Sequence, residues 1–146
     1  TSLNEFDFTG LLNAKYSGFT SPEKMHTDRK THFRILRKTV LEWQADDIEN
    51  PPETWTEFEQ RIEVTKKKLI MRDEYQKVLA RISGTAISQM TAAALQTPRK
   101  QQIRLQLQMQ NCAVNRFIFT RIGFYVHEFN ESPHITRKTN HFLTYS

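Results

Sequence analysis

The sequence predicts an all-α protein: three to four helices, at about 22–46, 54–83, 86–95 and 98–129, behind an irregular N-terminal arm. Three observations predict it. Apolar residues recur at helical spacing, as in Met25, Phe33, Leu36, Val40 and Trp43. Start signals stand ahead of the apolar runs, at Ser21-Pro22, at Thr54 to Glu57 and at Thr97-Pro98. Oppositely charged side chains sit four apart in the favourable order, at Glu57 and Arg61, Glu63 and Lys67, and Asp73 and Lys77.

The arm, residues 1–20, carries Phe6, Phe8, Leu11, Leu12, Tyr16 and Phe19 between Gly10 and Gly18 without a sustained period. Its side chains can pack onto the body, or "EFDFTGLL" can act as a docking motif with Phe8, Leu11 and Leu12 on one helical face. The first helix then opens at Ser21 as cap, Pro22 at the first helical position and Glu23 against the helix dipole. Pro51 and Pro52 end it, since neither can continue a helix.

Thr54-Trp55-Thr56-Glu57 has the pattern of a capping box, in which hydroxyl and carboxylate satisfy two orphan amides reciprocally. Trp55, Phe58, Ile62 and Leu69 form one seam of the second helix. Val64, Met71, Tyr75, Val78 and Ile82 form another, and Gly84 is the expected stop. A short helix follows near 86–95, with Ile87, Met90 and Ala94 inward.

From Thr97-Pro98 two patterns compete. Ile103, Leu105, Leu107 and Met109 alternate with Arg104, Gln106, Gln108 and Gln110, which is strand periodicity. The residue types there are helix formers, and Ile103, Leu107, Val114, Ile118, Ile122, Tyr125 and Phe129 lie on one helical stripe. Leu105, Met109, Cys112 and Phe119 make a second stripe opposite the first. A long helix to 129, apolar on two sides, is the preferred reading. An α+β fold with a C-terminal β-hairpin over 103–126 is the alternative, because "RFIFTRIGFYV" is rich in strand formers. Residues 130–146 are left as a basic tail, and the chain is taken as a single domain over 1–146.

Charge is unevenly placed. Residues 1–53 hold seven Lys and Arg against nine Asp and Glu, residues 54–96 seven against five, and residues 97–146 seven against two. The net charge of +5 therefore sits in the last third, which suggests an anionic partner. Mean hydropathy is −0.64 and no apolar run has the length of a membrane span. The single cysteine, Cys112, excludes an internal disulfide and suits a reducing intracellular compartment: nucleus, cytoplasm or mitochondrial matrix.

The chemistry-bearing motifs are sparse. His127, His134 and His141 are spaced by seven, but Asn130, Ser132 and Pro133 break any helix that would align them, and no ligand pair has zinc spacing. No glycine-flanked serine elbow and no phosphate-cradling glycine loop is present. Glu57, Glu63 and Asp73 are already explained as partners of Arg or Lys. The expectation is a non-catalytic module with no cofactor, metal, membrane or small-molecule substrate. It would be a small adaptor or structural subunit docking on a larger protein or on its own copies. Its contact residues would be Phe6, Phe8, Leu11, Leu12, Leu105, Met109 and Phe119. The second reading is a sequence-tolerant RNA or DNA binder using Arg99, Lys100, Arg104, Arg116, Arg121, Arg137 and Lys138, interleaved with Phe117, Phe119, Phe124 and Tyr125.

Overall fold

In the computed structural model, residues 3–16, 28–71 and 77–145 are described. They form α1 (Phe8–Lys15), α2 (Arg29–Gln44), α3 (Trp55–Ile70), α4 (Gly84–Ala94), α5 (Arg99–Leu107), β1 (Val114–Thr120) and β2 (Gly123–Glu131), then a single 3-10 turn at Asn140–Phe142. The chain divides into two compact units, residues 6–59 and residues 60–146 with the first five. The fold is α+β, with a two-stranded antiparallel sheet. The expected all-α bundle is thereby corrected, and the class held as its alternative is the one found.

In the unit 6–59, each helix start has a local cause. The Asp7 carboxylate accepts the Gly10 amide at 2.8 Å and opens α1, a regular helix where an irregular arm was expected. A Cβ at Gly10 would press on the Asp7 side chain and on Pro52 Cγ at 2.5 Å, so this position needs glycine. Asp28 caps α2, accepting from the amides of Lys30 and Thr31. The expected start at Ser21-Pro22-Glu23 lies outside the described residues. The capping box at α3 is complete: the Glu57 amide donates to the Thr54 hydroxyl at 3.2 Å, and the Thr54 amide donates to Glu57 Oε2 at 2.8 Å.

An aromatic cluster fills the interior of this unit. The Trp43 ring lies 4.9 Å from Trp55, 5.0 Å from Phe6 and 5.4 Å from Phe58, mostly edge-on or tilted. Such pairs contribute roughly 0.5–1.5 kcal/mol each beyond burial. Trp43 Nε1 donates to the Glu53 carbonyl at 2.6 Å, which ties the loop before α3 to α2. Leu11, Leu12, Leu36, Val40 and Ile48 close the core around the rings.

In the other unit, α3 ends at Ile70 rather than running to 83, and Lys77 to Ile82 has no regular structure. Residues 72–76, with Asp73 and its expected partnership to Lys77, lie outside the described residues. Gly84 opens α4 instead of stopping a helix, because the Ser83 hydroxyl accepts the Ala86 amide. The expected 98–129 helix is split. Helix α5 stops at Leu107, and Cys112 at φ 60 turns the chain into β1.

The physical reason is residue type and cross-strand packing. Val114, Phe117, Ile118, Phe119 and Thr120 are strand formers, and their partners in β2 bring Phe117 and Phe124 into stacked contact at 4.9 Å. Phe119 meets Phe124 at 4.8 Å, and Lys66 Nζ stands 5.3 Å over the Phe124 ring. Arg116 bonds Glu128 across the strands at 2.7 Å. The turn is two residues, Arg121 and Ile122, latched by the Thr120 hydroxyl, which accepts from both the Ile122 and Gly123 amides.

Candidate functional site

At the first turn of α4, in the unit 60–146, polar groups converge without charge. Ser83 caps the helix, and the amides of Gly84 and Thr85 open it, as at any helix start without intrahelical partners. No acidic residue occupies the first turn, so the positive end of the dipole is uncompensated. Thr85 is 1% exposed and its hydroxyl has no hydrogen-bond partner. Such an orphan costs roughly 1–3 kcal/mol until something pairs with it.

Behind that turn runs a buried polar seam between α4 and α5, which pack together. Gln102 Nε2 donates to Ser88 Oγ at 2.7 Å, and Ser88 Oγ donates to the Thr85 carbonyl at 2.8 Å. Both Ser88 and Gln102 are fully buried. Strand β2, which carries His127, also lies against α4. Chemically, a helix start with free amides and a buried hydroxyl suits an anion with several acceptor oxygens, as phosphate is.

The other candidate residues fall as follows. Phe6, Leu11, Leu12 and Met109 are buried within their own units, Phe8 and Leu105 are half-buried, and Phe119 is exposed on the hairpin. Arg99, Lys100 and Arg104 are exposed on α5, Arg116 is paired with Glu128, Arg121 is at the hairpin turn, and Arg137 and Lys138 lie in the C-terminal loop. The structure does not gather these seven cations at one place on a single element. His32 is half-buried on α2, with its ring 6.0 Å from Phe8 and 5.8 Å from Phe33. His127 is exposed on β2, and His134 and His141 are exposed beyond it. Among the described residues no group of three or more His, Cys, Asp or Glu could hold a metal ion, and no helix is long and apolar enough to cross a membrane.

Sequence reasoning passed over Thr85, Ser88 and Gln102. The signal available is "SGTAIS", a cap residue, a glycine and two hydroxyls within one and a half turns, of which sequence reasoning uses Gly84 as a stop and Ile87 as an inward position.

Comparison with known families supplies what the motifs did not. The family model described as "Histidine phosphatase superfamily (branch 1)" matches residues 19–132. No curated protein and no solved structure matches the chain. The matched family consists of enzymes, phosphatases and mutases, and this overturns three expectations: the non-catalytic adaptor, the nucleic-acid binder and the absence of enzymatic function. Those expectations failed because helical amphipathicity and a basic C-terminal third are properties of many enzyme surfaces and carry no information about a site.

Proposed function

This chain belongs to the histidine phosphatase superfamily, and from that membership we propose that it acts in phosphoryl transfer on a phosphate ester of a small molecule. The match over 19–132 is the observation that carries the reading. Imidazole is a competent acceptor of a phosphoryl group. In such a step the P–O bond to the ester oxygen breaks, a P–N bond to the ring forms, and the departing oxygen takes a proton. Transfer onward to water makes a phosphatase, and transfer to another hydroxyl makes a mutase.

The first turn of α4 supports the reading as the place that holds the phosphoryl oxygens. Its amides, its dipole and the Thr85 hydroxyl suit charge spread over those oxygens. The histidines within the matched range are His26, His32 and His127, and His26 lies outside the described residues. His127 is carried on the strand that packs against α4. An intracellular, reducing setting is part of the same proposal, resting on the single cysteine.

The test is hydrolysis of p-nitrophenyl phosphate by the full chain and by the variants His26→Ala, His32→Ala and His127→Ala. Turnover that drops roughly a hundredfold or more in one of the three supports the reading and names the acceptor. A folded chain that releases no phosphate from any phosphate ester sinks it.

A further inference from the structure

We infer that Gln102 and Ser88 form a positioning relay that aims the first turn of α4 at a phosphoryl group; this rests on reading that turn as the phosphoryl site. The relay is a chain of two hydrogen bonds with a fixed direction. Gln102 Nε2 donates at 2.7 Å to Ser88 Oγ, and the Ser88 hydroxyl, its acceptor role used, donates at 2.8 Å to the carbonyl of Thr85. A hydroxyl has one hydrogen to give, so the amide of Gln102 decides where that hydrogen goes. Bonds in such a chain polarise one another, and both residues are 0% exposed, so water does not compete for them.

The consequence falls on Thr85. The Ser88 hydroxyl bonds the carbonyl three residues back, in the opening turn of the helix, a local contact of the kind that can shift a carbonyl from the regular ladder. That carbonyl belongs to the residue whose buried hydroxyl has no partner, one position after Gly84 and two after the cap Ser83. The relay therefore holds the Thr85 peptide, within the opening turn, from a residue on another helix, α5. Gln102 touches no substrate in this arrangement. It acts through Ser88 and the Thr85 backbone, and placement errors of about an ångström at such a site cost roughly a hundredfold in rate.

The seam also contains a control. Thr91, on the same helix and 1% exposed, has an unpartnered hydroxyl but belongs to no chain of bonds leading to the first turn. Its replacement perturbs packing without perturbing the relay.

The experiment titrates inorganic phosphate into the 15N-labelled full chain and follows the amide signals of Gly84, Thr85 and Ala86. Ser88→Ala and Gln102→Leu are each expected to weaken phosphate by roughly tenfold or more, while Thr91→Val leaves it unchanged. The double variant Ser88→Ala, Gln102→Leu removes donor and acceptor of the Gln102–Ser88 bond together. It should regain thermal stability but not phosphate affinity, and Ser88→Thr, which keeps the hydroxyl, should regain affinity. Ser88→Ala is the smallest change, and it decides the matter if Gln102→Leu fails to fold. Recovery of affinity in the double variant, or unchanged affinity in Ser88→Ala, overturns the relay while leaving the phosphoryl site standing. No shift at residues 84–86 in the unaltered chain overturns the site itself, and the relay with it.

Discussion

Asn130 shows how much one side chain can carry in this protein. Its Oδ1 accepts the Gln110 amide and its Nδ2 donates to the Gln108 carbonyl, each at 2.8 Å, and its own amide donates to Asn115 Oδ1 at 2.7 Å. It joins the end of α5 to the end of β2, and it does so at φ 60, where asparagine is tolerated better than most residues. Asn130→Ala should cost about 3 kcal/mol, from two lost hydrogen bonds at about 1 kcal/mol each and the strain of a left-handed alanine. Asn130→Gly should recover the strain alone. Urea unfolding of both variants, followed by circular dichroism, checks this, and equal losses would show that the backbone conformation carries no cost. Gly123 makes a milder case. A Cβ there would meet the Tyr125 hydroxyl at 2.6 Å, but Tyr125 is 47% exposed and its ring can swing away. Gly123→Ala should therefore cost under about 1 kcal/mol and move the Tyr125 ring resonances.

Among the helices, the acid caps are the features most open to pH. The Thr54 amide, and then its hydroxyl, hold the Glu57 carboxyl below its ordinary value of 4.5. The Thr31 hydroxyl, followed by the amides of Lys30 and Thr31 and the charge of Arg34, holds Asp28 below 3.8. A carboxylate whose pKa is depressed by folding stabilises above its unfolded value, and that contribution is lost as pH falls through the folded one. The stability of the unit 6–59 should thus carry the full contribution of these caps and be insensitive to pH near neutrality, and should weaken below 4.5, Glu57 first and Asp28 next. Thr54→Ala should cost about 1 kcal/mol at neutral pH and flatten the acid limb. Trp43 and Trp55, the two tryptophans of the chain, both lie in this unit, so their emission reports its thermal unfolding at each pH. An acid limb identical in the two proteins would mean that Glu57 does not set it.

At the scale of the whole chain, several large apolar side chains face solvent. Leu79 is 100% exposed, Ile122 89% and Met71 86%. None makes a core contact that a polar replacement would remove, and exposed apolar area favours association. Leu79→Lys and Ile122→Lys should leave the melting temperature within about 1–2 °C while raising the concentration at which the chain associates. Light scattering across a concentration series, paired with thermal melts, tests this. A large drop in melting temperature for either variant would show that the side chain is buried in solution.

Local chemistry alone determined the features that need only neighbours in sequence. The Thr54–Glu57 box and the helical stripe from Leu36 to Trp43 are each complete within a few residues, so their periodicity and cap chemistry are legible in one dimension. The C-terminal third was not, because Ile103 to Phe129 satisfies helix and strand patterns together. Stacking of Phe117 on Phe124, the Arg116–Glu128 bond and the Asn130 clamp choose between them, and they join residues seven, twelve and twenty-two positions apart, beyond the reach of helix periodicity. The candidate site was hidden for the same reason. "SGTAIS" looks like punctuation until Gln102, fourteen residues from Ser88, lies beside it in the packed seam. Only tertiary structure places the Ser88 hydroxyl in a directed chain, since a hydrogen bond's direction is decided by which donor arrives and from where.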